Sequence, residues 1–141
     1  MIDRTALRQQ FYDAWQNYRQ KKPLSGLQEN IVNVILIHPE YHQAIEAVAK
    51  NPEQDYFPEL GESNPFLHLS LHLSIREQIG TDRPKGIKAI FQQLAKKHES
   101  HDVEHKMLEV LAKNLWQAQK DNKPPSEESY LKQLQQLLSF R

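Results

Sequence analysis

Residues 64–80 read NPFLHLSLHLSIREQIG, and the fold depends on whether this stretch is strand or helix. Leu67, Leu69, Leu71, Leu73 and Ile75 alternate with His68, Ser70, His72 and Ser74, the period of a half-buried strand. The ends argue for helix. Asn64 is a good N-cap, Pro65 suits the first helical position, and Gly80 stands where a helix terminator belongs. Leucine and the Arg-Glu-Gln tail favour helix, and β-branched residues are nearly absent. The stretch is therefore predicted to be a largely enclosed helix, with His68, His72 and Arg76 in one row at one-turn intervals.

Working outward, Thr5–Lys22 predicts an amphipathic helix with Leu7, Phe11, Ala14, Trp15 and Tyr18 inward and Arg8 on the polar side. Ser25 and Gln28 form a capping box that opens a second helix, apolar from Ile31 to Ile37 save for Asn33. Pro39 interrupts it, pushing His38 out of helical geometry towards a capping role and starting a new helix near Glu40. Residues 51–63, NPEQDYFPELGES, form an acidic loop read first as a solvated connector and second as a cover over the histidine helix, which Tyr56, Phe57 and Leu60 would anchor.

On the far side, Pro84 is expected to open a helix bearing Ile87, Ile90, Phe91 and Leu94, with Gly86 admitting a close neighbour. Ser100 is expected to cap a long helix reaching Lys120, with Val103, Met107, Val110, Leu111, Leu115 and Ala118 as its stripe. A last helix spans 126–139, with Tyr130, Leu134, Leu137 and Leu138 as an apolar seam. The fold class is thus all-α: a compact bundle of about six or seven helices in a single domain, 1–141, around a buried central histidine helix.

Composition removes several functions. Eighteen basic and eighteen acidic side chains cancel, and no basic stripe stands out, which argues against nucleic acid. The absence of cysteine excludes disulfides, thiolate zinc sites and cysteine nucleophiles. No run approaches the length of a membrane span and the N-terminus lacks a signal core, so the expected location is the cytoplasm, with no membrane partner.

The blocks His38-Pro39-Glu40-Tyr41-His42, Asn64-Pro65-Phe66-Leu67-His68, Leu71-His72-Leu73, Ile75-Arg76-Glu77-Gln78, Asp82-Arg83-Pro84 and Leu115-Trp116-Gln117-Ala118-Gln119, with His105, Met107 and Glu109, carry a resemblance. In these the chain resembles the uncharacterised bacterial family catalogued as domain of unknown function 1841. The resemblance covers close to the full length, and it implies no reaction, cofactor or catalytic residue.

Chemistry concentrates in the seven histidines: His38 and His42; His68 and His72; His98, His101 and His105. A four-residue helical spacing lets two imidazoles bind one ion, although no His-Glu-x-x-His motif is present. The preferred explanation is structural, histidines at helix ends and in the core bonded to carbonyls. The metal alternative takes His68 and His72 as ligands, completed by His42, His105, Glu104 or Glu109, around divalent zinc, iron, manganese or nickel. Arg76 and Arg83 are expected first to pair with local acids such as Glu77 and Asp82 and second to clamp an anion, and the seam of Tyr130, Leu134 and Leu138 could dock a protein partner or a second copy. No catalytic motif is complete. The leading expectation is therefore a non-enzymatic protein binding a partner or small ligand, ahead of a metal-dependent hydrolase or oxidase.

Overall fold

A computed structural model describes residues 4–56 and 64–139. It contains seven α-helices: α1 (Arg4–Arg19), α2 (Gly26–Leu36), α3 (His42–Glu46), α4 (Pro65–Thr81), α5 (Ile87–Ala95), α6 (Ser100–Lys120) and α7 (Glu127–Gln136). Short 3₁₀ turns occupy Pro39–Tyr41, Ala47–Ala49 and Leu137–Ser139, and no strand occurs among the described residues. The chain forms two compact units, Met1–Leu73 and Ser74–Arg141, and α4 runs continuously from one into the other.

The first unit packs α1, α2 and the start of α4 around Phe11, Trp15, Ile31, Val34, Ile35, Ile45, Phe66 and Leu69. Ser25 closes the capping box as read, its hydroxyl accepting from the Gln28 amide at 3.2 Å while Gln28 reaches back to the Ser25 N–H. Two assignments on α1 change. Tyr18 lies 42 % exposed, and Arg8, expected on the polar side, is 1 % exposed. Its Nη1 donates to the carbonyls of Pro52 and Gln54, and its guanidinium sits 4.8 Å from the Phe66 ring centroid. Arg4 pairs with Asp55 nearby, so α1 clasps residues 52–55 through two arginines. Tyr56 packs against the core as expected, whereas Phe57, Leu60 and the proposed cover over α4 lie outside the described residues.

Helix α4 begins as its sequence indicates, with Asn64 Oδ1 accepting from the Phe66 and Leu67 amides. It buries Phe66, Leu69, His72 and Ile75, a three-residue recurrence that turns the apparent alternation into one helical face. Leu67 is the exception at 57 % exposure. The helix does not stop at Gly80. Asp82 adopts the left-handed conformation at φ 52°, and the Arg83 N–H returns to the Gln78 carbonyl at 3.0 Å, a helix-end closure in which Asp82 takes the place usually given to glycine.

In the second unit, the buried residues include Ile75, Ile87, Ile90, Leu94, Val103, Met107, Leu108, Leu111, Tyr130 and Leu134. Helix α5 starts at Ile87 and not at Pro84. Gly86 precedes it at φ 104°, and nothing lies within 4 Å of where its Cβ would stand, so backbone conformation and not a close neighbour requires the glycine. Asp82 Oδ1 accepts from the Gly86 and Lys88 amides at 3.0 and 3.1 Å, supplying the cap that Gly86 cannot. Glu99, not Ser100, holds the N-cap position of α6, without a side-chain bond. Ser126 caps α7 through the Ser129 amide, at the start expected for this helix. Among the described residues no helix is long and apolar enough to cross a membrane.

Candidate metal centre

The centre begins at the C-terminal end of α2, where helical carbonyls run out of amide partners. Pro39 has no N–H to offer Ile35, four residues earlier. The Ile35 carbonyl takes the His38 amide at 3.0 Å and the His42 ring Nε2 at 2.9 Å instead. The Val34 carbonyl takes the His38 ring, whose Nδ1 donates to it at 2.8 Å. His38 has φ −126° and ψ 64°, outside the helix, and its side chain makes no N-capping bond to the turn that follows. That correction matters: the ring expected at a helix start turns into the interior and is 0 % exposed.

A carbonyl only accepts, so His38 carries a proton on Nδ1, and in the neutral form of the ring Nε2 is the lone-pair atom. That lone pair faces His68 Nε2 at 3.1 Å. His72, one turn further along α4 and also 0 % exposed, places its ring centroid 4.9 Å from that of His38 and 6.2 Å from that of His68. His68 is half-buried. The ligand nitrogens of His38, His68 and His72 lie within 4.8 Å of one another. Two nitrogens on a tetrahedral zinc ion, each about 2.0–2.1 Å from it, stand roughly 3.3 Å apart. The His38–His68 separation is close to that value, so a proton shared between the two rings could be replaced by an ion with small adjustments. Among the described residues all the ligand atoms in this grouping are imidazole nitrogens, with no carboxylate oxygen among them.

Tyr41 completes the wall. Its ring lies nearly parallel to His38 (centroids 5.6 Å, 12°) and at an angle to His68 (5.6 Å, 63°). Burial, then the adjacent Glu40, raises its phenol pKa above the usual value, so the hydroxyl stays protonated at neutral pH.

Several of the remaining sequence nominations have contacts of their own. His42, expected as a ligand, uses Nε2 on the Ile35 carbonyl and packs on Trp15 with centroids 4.5 Å apart. His105 belongs to the second unit, where its Nε2 faces that of His101 at 3.0 Å. Glu104 is buried and accepts from Arg76 Nε at 3.0 Å, which gives that arginine a structural partner, while Glu109 and Arg83 are exposed. Tyr130 and Leu134 are buried at 5 % and 0 % exposure, and Tyr130 donates to Gln78 Oε1 at 2.7 Å, leaving Leu138 as the exposed part of that seam. The member of the grouping that the sequence reading left out of its ligand set is His38. The signal that could have found it is the His-Pro step after an apolar helix, which leaves carbonyls for a ring to take.

The family model described as Domain of unknown function (DUF1841) matches residues 3–136. The chain belongs to this family. The match contains every helix named above, and within DUF1841 this member places its histidine grouping between the end of α2 and the first turns of α4. No curated protein and no solved structure matches the chain.

Proposed function

We propose that this protein binds a divalent transition-metal ion through His38, His68 and His72, with zinc the first choice and iron, manganese or nickel behind it. The observation that carries the reading is the orientation of His38: the Val34 carbonyl holds the Nδ1 proton and directs the Nε2 lone pair at His68. A ring nitrogen pinned by an acceptor on its far side is the usual outer support of a metal-bound histidine. Nitrogen donors without carboxylates disfavour calcium and magnesium. His105, nominated from the sequence, is carried forward as a further donor, and a role as a metal-dependent hydrolase or oxidase is the corresponding activity class.

The test is a Co²⁺ titration of untagged, chelator-stripped protein, followed by its visible absorption and by displacement with Zn²⁺. One ion per chain is expected, with binding lost in His68→Ala and His72→Ala and weakened in His105→Ala. Substoichiometric uptake that ignores the first two substitutions would end the proposal.

Partner binding stands second. It is favoured by Leu115 and Trp116, 41 % and 59 % exposed on α6. Trp116→Ala should abolish any self-association seen by sedimentation, and unchanged sedimentation would count against that surface.

A further inference from the structure

We propose that a cavity at the end of α5 binds a short aliphatic carboxylate. It lies within the second unit, and the proposal is independent of the metal reading. The cavity holds about 250 Å³ and, among the described residues, is lined by Gln93, Leu94, Lys96, Lys97, His98 and Leu138. These side chains supply two ammonium groups, an imidazole, an amide and two leucines, and no carboxylate. That is the composition of a site for an anionic head with an apolar tail.

Lysines after a helix commonly do no more than offset its dipole and bond its last carbonyls. Here the backbone takes those carbonyls. Gln93 O accepts from the Lys96 amide at 3.4 Å, and Leu94 O accepts from the Lys97 and His98 amides at 3.1 Å each. The side chains of Gln93, Lys96, Lys97 and His98 make no hydrogen bond or ion pair with any described residue. The nearest acid in the chain, Glu99, is exposed and is not part of the lining. Three successive bases thus line the cavity without a fixed negative charge, and a bound anion would relieve their mutual repulsion.

The apolar part sets the tail. Leu94 is 6 % exposed and forms a buried wall, while Leu138, at 38 %, is the part of the C-terminal seam that the fold leaves uncovered. An aliphatic chain laid against both would take Leu138 out of water. The volume falls just short of the roughly 300–1,000 Å³ usual for drug-sized ligands, which limits the tail to a handful of carbons.

The experiment titrates sodium hexanoate into the full chain and follows amide NMR shifts, with acetate, hexylammonium and inorganic phosphate compared at matched ionic strength. Saturable shifts are expected with hexanoate at residues 93–98 and around Leu138. Acetate, which lacks the tail, should bind about tenfold or more weakly. Hexylammonium, which reverses the charge, should cause no saturable shift there. The double variant Lys96→Gln/Lys97→Gln should weaken hexanoate about tenfold or more, the scale of a lost charge-assisted bond. Leu138→Asn should weaken hexanoate and leave acetate unchanged. All three positions are exposed, so these variants leave the core intact. No saturable shift with hexanoate, or one that ignores the lysine substitutions, would overturn the inference. Acetate or phosphate binding as tightly as hexanoate would overturn it too, by reducing the cavity to a charged patch.

Discussion

His38 and His68, separated by 30 residues of chain, bring their Nε2 atoms to 3.1 Å of one another, and neither ring is placed by its neighbour alone. His38 is fixed from behind by a helix-terminal carbonyl, and His68 by the turn of α4 that buries Phe66 and Leu69. His38 and His42 should therefore behave differently despite their similar positions in the sequence. His38→Phe should abolish Co²⁺ binding. His42→Phe should bind within about twofold of wild type while losing about 1 kcal/mol of stability with its bond to Ile35. Parallel metal titrations and urea melts check this, and equal loss of metal in both variants would refute the assignment of His38.

Tyr41 acts through its ring. Stacking against His38 and His68 restricts both imidazoles, so Tyr41→Ala should weaken Co²⁺ binding about tenfold or more, the usual scale for support residues around a metal. Tyr41→Phe should restore it. An alanine variant that binds as tightly as wild type would show the ring to be irrelevant.

Arg8 is a buried cation whose Nε and Nη2 make no hydrogen bond among the described residues. Its pKa is lowered, first by burial and then by Arg4. Much of its contribution should be volume and ring contact, offset by the cost of desolvating the charge. Arg8→Ala should destabilise by about 3 kcal/mol, in the range for emptied core positions, and Arg8→Met by less than half of that. Equal losses in urea melts would mean that the bonds to Pro52 and Gln54 dominate.

Tyr130 sets the alkaline limit. Burial raises its pKa well above the ordinary phenol value, so the folded state keeps the proton that an unfolded chain surrenders near pH 10. A folded-state pKa above the unfolded one gives stability that is complete below about pH 10 and declines as pH climbs further. Thermal melts between pH 8 and 11 (roughly the range spanning free tyrosine ionisation) should show this decline. Tyr130→Phe should flatten it while costing about 1 kcal/mol at neutral pH, because Gln78 Oε1 loses its donor. An unaltered alkaline limb in the variant would acquit Tyr130.

Gly86 is held at φ 104° with open space around it. Gly86→Ala should therefore destabilise by about 1–2 kcal/mol through backbone conformation alone. No loss in the melt would contradict this.

Much of the helical plan could be read directly. Ser25 and Asn64 announced two helix starts through side chains that satisfy their own first turns, a local matter that sequence records. His68 and His72 followed from helical pitch. His38 did not, because its ring is directed by carbonyls that became available only when α2 ended, and acceptors of that kind have no residue type. Arg8 was misplaced for a similar reason: the groups that bury it lie 44 and 46 residues away on the chain. The Tyr130–Leu138 periodicity identified an apolar face and could not tell whether the fold or a partner covers it. Asp82 in place of Gly80 shows a polar side chain earning its strained backbone by capping the following helix.

The proline at 39 thus has a reach beyond its own peptide. Restore an amide there, as in Pro39→Ala, and α2 gains a donor able to prolong it, carrying position 38 round with the extended coil. Affinity for an ion would then be governed by a residue that never touches it, so that an imino acid, chemically inert, acts as the switch that chooses which imidazole looks inward.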